Sequence, residues 1–298
     1  MEAVIRALSR QDAEYPKLLA AISDAPDTLF VRGTLPESAT PCVAIVGTRK
    51  ATTEGKRLAC GLARELASRG VVIVSGLALG IDAAAHDGAL EAKGRTLAVL
   101  ANGLDAVYPA SNEHLASRII AMGGALISEY PAGTPALPHQ FLARNRIVSG
   151  LSLGIIVVEA PIHSGALATA RHAANQGREL FVTPGPTGHP NFAGSHMLLR
   201  NGARIVTSAD DVLEDLGLET ACAPDAPERE GEATQEFTET ERAIIDHLRG
   251  TQKPCTLDAV VEATGLPPEV VSRDLTLLSL EGAVEERAGM FMIKHIRS

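Results

Sequence analysis

Val43-Ala44-Ile45-Val46-Gly47-Thr48-Arg49 sets the reading of this chain. Four consecutive apolar residues, three of them β-branched, fit a strand buried on both faces, as in a parallel sheet covered by helices. Gly47 and two polar residues end the strand, and a helix opens from Thr52 or Thr53. In a doubly wound sheet, ligands bind beyond the carboxyl ends of the strands. Free amides at a helix N-terminus favour a phosphate there. Arg49 adds a charge-assisted contact, with Lys50 beside it. An ordinary βα turn with a solvated arginine fits the same residues. The stretch is not a Walker A loop: Gly47 and Gly55 are too far apart, and Lys56 is not followed by Ser or Thr.

Outward from this turn the pattern repeats. Strand-length apolar runs are expected at 43–46, 71–75, 96–101, 125–128, 154–159, 180–182 and 203–206. Helical stretches at 53–69, 81–93, 112–122, 141–151, 165–176, 194–200 and 209–216 fall between or after them. Alternating βα units imply a doubly wound, Rossmann-like α/β fold with a parallel or mixed sheet. Residues 1–36 read as a lead-in packed on a core domain at 37–218. Residues 219–236, with Pro224, Pro227, Gly231 and six acids against one Arg, read as an acidic flexible linker. Residues 237–298 read as a small winged-helix unit. Its first helix carries a capping box, Thr238-Glu239-Thr240-Glu241, ahead of Ile244, Ile245 and Leu248. Helices at 257–264 and 268–280 and a hairpin through 283–293 complete it.

The net charge of -9 argues against a surface that coats phosphates with general positive potential. Residues 1–218, however, hold 19 Lys+Arg against 20 Asp+Glu, so a local basic cleft is permitted. Cys42, Cys60, Cys222 and Cys255 show neither a Cys-x-x-Cys pair nor zinc-like spacing to His, and read as reduced packing residues of a cytoplasmic protein. Met1-Glu2-Ala3-Val4-Ile5-Arg6 has no targeting pattern, and no apolar run approaches the ~20 residues that span a bilayer.

Four further motifs carry chemistry. Ser75-Gly76-Leu77-Ala78-Leu79-Gly80-Ile81-Asp82 has two glycines that let backbone approach a ligand. In it Asp82 reads chiefly as a cap, or as a group that orients His86. Asn102-Gly103 is a tight turn offering amide hydrogen bonds. In Phe141-Leu142-Ala143-Arg144-Asn145-Arg146, helical spacing puts Phe141, Arg144 and Asn145 on one side. Arginines for phosphates and a ring for stacking suit a single strand; a charged helix end with a core Phe is the alternative. Ser164-Gly165 opens a helix, either as an anion site or as a plain Ser cap. All lie at or near strand C-termini, so the fold should gather them along one edge. No nucleophile elbow, metal-ligand cluster or Ser/His/Asp order is found.

Taken in order, these residues resemble the DNA-processing protein A (DprA/Smf) family. The resemblance runs from Tyr15-Pro16 and Gly33 through Val46-Gly47-Thr48-Arg49, Ser75–Asp82, His86, Gly103-Leu104-Asp105, Tyr108-Pro109, Ser128-Glu129-Tyr130, Arg144-Asn145-Arg146-Ile147 and Ser164-Gly165 to Pro184-Gly185. It implies a homodimer that binds and protects single-stranded DNA and helps load RecA recombinase in natural transformation, without cofactor, metal or catalysis. The DNA contacts it implies are Gly47, Thr48, Arg49, Asn102, Gly103, Phe141, Arg144, Asn145, Arg146, Ser164 and Gly165; Lys50, Ser75, Gly76 and Gly80 join them as neighbours on the same edge. The chain lacks the lysine that many members carry near Asn112, and has Gly194-Ser195-His196 where Gly-x-Asn is common. Two other classes compete. A nucleoside monophosphate phosphoribohydrolase-like enzyme needs a catalytic carboxylate after Thr169, and none follows. A regulator led by the winged helix needs a basic reading helix, but 268–280 carries Glu269, Arg273 and Asp274.

Overall fold

Side-chain alternation along the first parallel strand builds the layers. In β3 (Cys42–Val46) every residue is buried. Val43 and Ile45 join one apolar cluster, while Ala44 and Val46 join another on the opposite face. A strand that buries both faces needs helices on both sides, and the sequence supplies them. The computed structural model describes residues 4–218, 238–251, 255–280, 284–287 and 290–293. These fall into two compact units, divided after residue 224.

The first unit holds a nine-stranded sheet in the order β1-β2-β6-β5-β4-β3-β7-β8-β9. Beyond β3 the strands are β1 (Ile5–Ser9), β2 (Thr28–Gly33), β4 (Val72–Ser75), β5 (Thr96–Val99), β6 (Ala125–Ser128), β7 (Gly154–Val157), β8 (Glu179–Val182) and β9 (Arg204–Ile205). From β3 to β9 all pairings are parallel. The chain steps from β3 outward to β6, then returns to the other side of β3 with β7. The strand order therefore reverses between β3 and β7, which is where a doubly wound sheet opens a crevice.

One face of the sheet is covered by α2 (Thr53–Ser68), α3 (Ile81–Glu91), α4 (Glu113–Ala121) and α8 (Ala209–Asp215). The other is covered by α1 (Lys17–Ala20), α5 (Pro138–Gly150) and α6 (Gly165–Asn175), with α7 (Ala193–Arg200) beside them. On that second face Leu19 and Ile22 pack with Ile147, Val148 and Val157. Residues 1–36 do more than pack on the core. β1 and β2 form an antiparallel pair, and β2 pairs antiparallel with β6, with Phe30 opposite Ser128 and Val31 opposite Ile127. Such a half-exposed edge pair lacks the continuous apolar run that marks the central strands.

The second unit contains α9 (Glu239–Thr251), α10 (Leu257–Thr264), α11 (Pro268–Leu280) and a sheet ordered β10-β12-β11. The hairpin strands β11 (Val284–Arg287) and β12 (Met290–Ile293) are those expected; β10 (Cys255–Thr256) adds a short third strand. Thr238 and Glu241 make the reciprocal capping box, and Ile244, Ile245 and Leu248 are buried. The acidic linker expected at 219–236 lies outside the described residues. Among the described residues no helix is long and apolar enough to cross a membrane.

Candidate nucleic-acid interface

The crevice beyond β3 and β7 holds a cavity of about 890 Å³. Gly47, Thr48 and Arg49 line it from the β3 turn, and Ser164 and Gly165 from the start of α6. Gly76 and Asp82 reach it from the β4 turn, and Phe141, Arg144 and Asn145 from α5. Four of the five motifs thus meet at one site.

The β3 and β4 turns touch through their backbones. Ile81 N–H donates to the Thr48 carbonyl at 3.3 Å. Gly80 has φ +83° and sits against the carbonyls of Thr48 and Arg49, where any Cβ would collide. Gly47 is equally confined, since a Cβ would come within 2.5 Å of the Ile81 side chain. Glycine is required here by close approach, so both residues act by shape.

Two amides of the β3 turn, those of Thr48 and Lys50, do not lie open as expected. Thr48 N–H donates to the Glu159 carbonyl at 2.8 Å, and Lys50 N–H to Thr48 Oγ1 at 3.2 Å. The N-terminus of α2 already holds an anion: the fully buried Glu159 carboxylate accepts from Thr52 N–H at 3.1 Å, from Thr52 Oγ1 and from Asn191 Nδ2 at 2.8 Å. Gly55 faces that carboxylate, and a Cβ there would overlap it. The start of α2 is therefore filled by the protein's own carboxylate, whereas the start of α6 lines the cavity. There Asn145 Nδ2 donates to the Gly165 carbonyl at 3.1 Å and fixes the first turn. The leading N–H groups of a helix have no intrahelical acceptor. Ser164 makes no side-chain cap, and its buried Oγ has no hydrogen-bond partner among the described residues.

Two arginines meet one ring. The Arg49 Cζ lies 5.1 Å from the Phe141 ring centroid and the Arg144 Cζ 6.0 Å. Their settings differ. Arg49 is exposed and forms no ion pair among the described residues. Arg144 is only 4% exposed and donates to the carbonyls of Gly76, at 2.9 Å, and Val99, and to Asn145 Oδ1 at 3.3 Å. Gly76 is held between it and Asp82; a Cβ would lie 2.5 Å from Arg144 Nη2 and 2.8 Å from Asp82 Oδ2. Burial pulls the Arg144 guanidinium down to about 10, against the opposing pull of Asp82. Burial likewise raises the Asp82 carboxyl, opposed by Arg144 and the amides of Ala78 and Gly76. Asp82 thus caps the turn, accepting from Gly76 N–H at 3.1 Å. It does not orient His86, whose Nδ1 meets Thr96 Oγ1 at 2.7 Å.

Several expected residues stand apart from the cavity. Arg146 pairs with Glu129, with Nη1–Oε1 at 3.0 Å and Nη2–Oε2 at 2.8 Å, and with Asp24 at 3.3 Å. Its charge is answered by two carboxylates, so the basic cleft expected around three arginines has a single exposed one. Asn102 is buried, with its amide on the carbonyls of Gly103 and Ala106 at 2.9 and 2.7 Å. Gly103 N–H is taken by the Thr134 carbonyl at 3.0 Å. Neither the Asn102 side-chain amide nor the Gly103 N–H is therefore open to a ligand. Ser75 Oγ binds the Ile45 carbonyl at 2.6 Å and stitches β4 to β3. Lys50 is exposed and does not line the cavity; its carbonyl accepts from Asn191 Nδ2 at 3.1 Å.

Sequence reading missed Glu159, which sits where a strand simply ends, and the apolar rim. Tyr108, Leu142 and Ile162 line the cavity at 47%, 55% and 56% exposure. The signal for Tyr108 was its Tyr-Pro pair; Leu142 and Ile162 carried none. Among the described residues no group of three His, Cys, Asp or Glu side chains is placed to hold a metal.

A family model described as DNA recombination-mediator protein A matches residues 6–217, and one for the DprA winged helix domain matches 223–290. Protein Smf of Escherichia coli K12 is 42% identical over 270 residues, covering 88% of this chain and 71% of that protein. The putative DNA processing protein DprA of Mycobacterium tuberculosis H37Rv is 41% identical over 301 residues, covering 97% of this chain and 77% of that one. The X-ray structure of DNA processing protein A from Streptococcus pneumoniae superposes with TM-score 0.67 at 41% identity, over 71% of this chain and 74% of that chain. Its Helicobacter pylori counterpart, described for a single-stranded DNA binding mode, gives TM-score 0.63 at 33% identity, over 72% of this chain and 98% of that chain. The chain, with its switch-point cavity and its winged-helix unit, belongs to the DNA recombination-mediator protein A (DprA/Smf) family.

Proposed function

We propose that this protein binds single-stranded DNA in the switch-point cavity, protects it and helps load RecA recombinase on it during natural transformation and recombination. One observation carries the reading: Arg49, exposed and without an ion pair among the described residues, lines the same cavity as the uncapped N-terminus of α6. A guanidinium and a helix N-terminus together favour a phosphodiester. Family membership and the single-stranded DNA binding of the H. pylori relative support it. In this reading Arg49, Ser164 and Gly165 contact phosphate, while Gly47, Thr48, Gly76, Gly80, Arg144 and Asn145 shape the site. The protein acts as a cytoplasmic homodimer and a binder, without catalysing a reaction.

Fluorescence anisotropy of a labelled oligonucleotide, single-stranded against duplex, tests the binding. Tighter binding of the single strand is expected; equal or absent binding overturns the reading. RecA nucleation on a strand coated with single-strand-binding protein, with and without this chain, tests the loading. Base release from AMP, measured in parallel, would revive the phosphoribohydrolase alternative. Glu159 does not favour that alternative, since its carboxylate is committed to Thr52 and Asn191.

A further inference from the structure

The cavity is lined by two kinds of group. Arg49, Ser164 and Gly165 are polar; Tyr108, Phe141 and Leu142 are apolar. An unpaired nucleotide has the same division, a charged backbone on one side and a flat base on the other. Phe141 is the ring that sequence spacing offers to a base. In the structure that ring is already engaged, half-buried with guanidinium carbons at 5.1 and 6.0 Å from its centroid. Tyr108 is not. It is 47% exposed, and its one ring contact is a tilted one with Phe141, centroids 5.4 Å apart at 57°. Its hydroxyl makes no hydrogen bond among the described residues, so nothing polar holds the ring to the protein.

An exposed aromatic is notable in a chain with only 3% aromatic residues. Large apolar surface left open beside a charged site marks a place where a ligand covers it. The geometry points to Tyr108 as the base-stacking platform of the site, with Phe141 as the post that holds Arg49 at the phosphate. This rests on the single-stranded DNA reading and adds to it a cause of strand selectivity. In a duplex each base is already stacked and paired, so a ring at the cavity rim gains nothing from it. An unpaired base is free to cover Tyr108.

The test uses the full chain and exploits its lack of tryptophan. Tyr108→Trp places a single indole at the platform. Its emission should be quenched by an oligo-dT strand and left unchanged by an abasic strand of equal length. Tyr108→Ala should weaken single-strand binding about 5- to 140-fold, the range for losing one base–aromatic stack, and Tyr108→Phe should bind as the parent does. Duplex affinity should hold constant throughout, which a merely structural role for the ring would not produce. If the strand binds, the indole is unquenched and Tyr108→Ala binds like the parent, the platform is wrong and the DNA reading survives. If the parent chain binds no single strand, both fall together.

Discussion

Arg146 grips both carboxylate oxygens of Glu129, at 3.0 and 2.8 Å, and so leaves Arg49 as the exposed arginine of the site. The two arginines therefore answer to different measurements. Arg49→Ala should weaken oligonucleotide binding roughly tenfold or more at moderate salt, and lower the slope of log affinity against log salt by about 1. Arg146→Ala should leave that slope alone and cost about 2 kcal/mol of stability, because Glu129 stays behind largely buried without its partner. Salt titrations and urea melts of the two variants separate the effects. An Arg146→Ala slope matching that of Arg49→Ala would return Arg146 to the DNA.

Backbone contact between the β3 and β4 turns makes glycine obligatory at two positions. Gly80→Ala meets both a left-handed φ of +83° and the Thr48 carbonyl. Gly76→Ala drives a methyl between Arg144 and Asp82. Each should cost about 3 kcal/mol or more, strain and lost hydrogen bonds combined. A denaturation midpoint within error of the parent for either variant contradicts the packing described.

His86 is fully buried, and burial pushes its imidazole down to about 3 from an ordinary 6.5. The unfolded chain binds a proton there below pH 6.5 while the folded chain stays neutral. Stability should therefore fall as pH drops from 6.5 towards 3, by up to about 1.4 kcal/mol per pH unit from this group. His86→Gln can keep a partner for Thr96 and has no proton to take up, so its stability should depend less steeply on pH over that window. Urea midpoints of both proteins at intervals between pH 4 and 7 check this; parallel curves refute it.

The acidic stretch after Leu218 and the unit beyond it carry no described cation of the cavity. A fragment of residues 1–218 should bind single-stranded oligonucleotide at least as tightly as the whole chain, since removal of residues 219–298 takes away more acid than base. Side-by-side anisotropy titrations decide it. A large loss of affinity in the fragment would assign DNA contacts to the winged-helix unit.

Sequence alone determined the fold class and the gathering of motifs. Both depend on local signals: runs such as Val43–Val46 that are apolar on both faces, glycines at strand ends, and caps such as Thr238 with Glu241. The βα rhythm then dictates that strand C-termini share an edge. The edge pair β1 and β2 escaped because half-exposed strands lack that continuous run. What each motif does there was decided only by tertiary structure. A carboxylate from the end of β7 fills the helix N-terminus expected to take phosphate. An acid after β6 neutralises one arginine, and carbonyls of β5 and the β4 turn engage another. Charge and hydrogen-bond capacity are properties of a residue. Whether they remain available to a ligand depends on partners distant in the chain, as Glu159 is from Thr52, and no local pattern encodes that meeting.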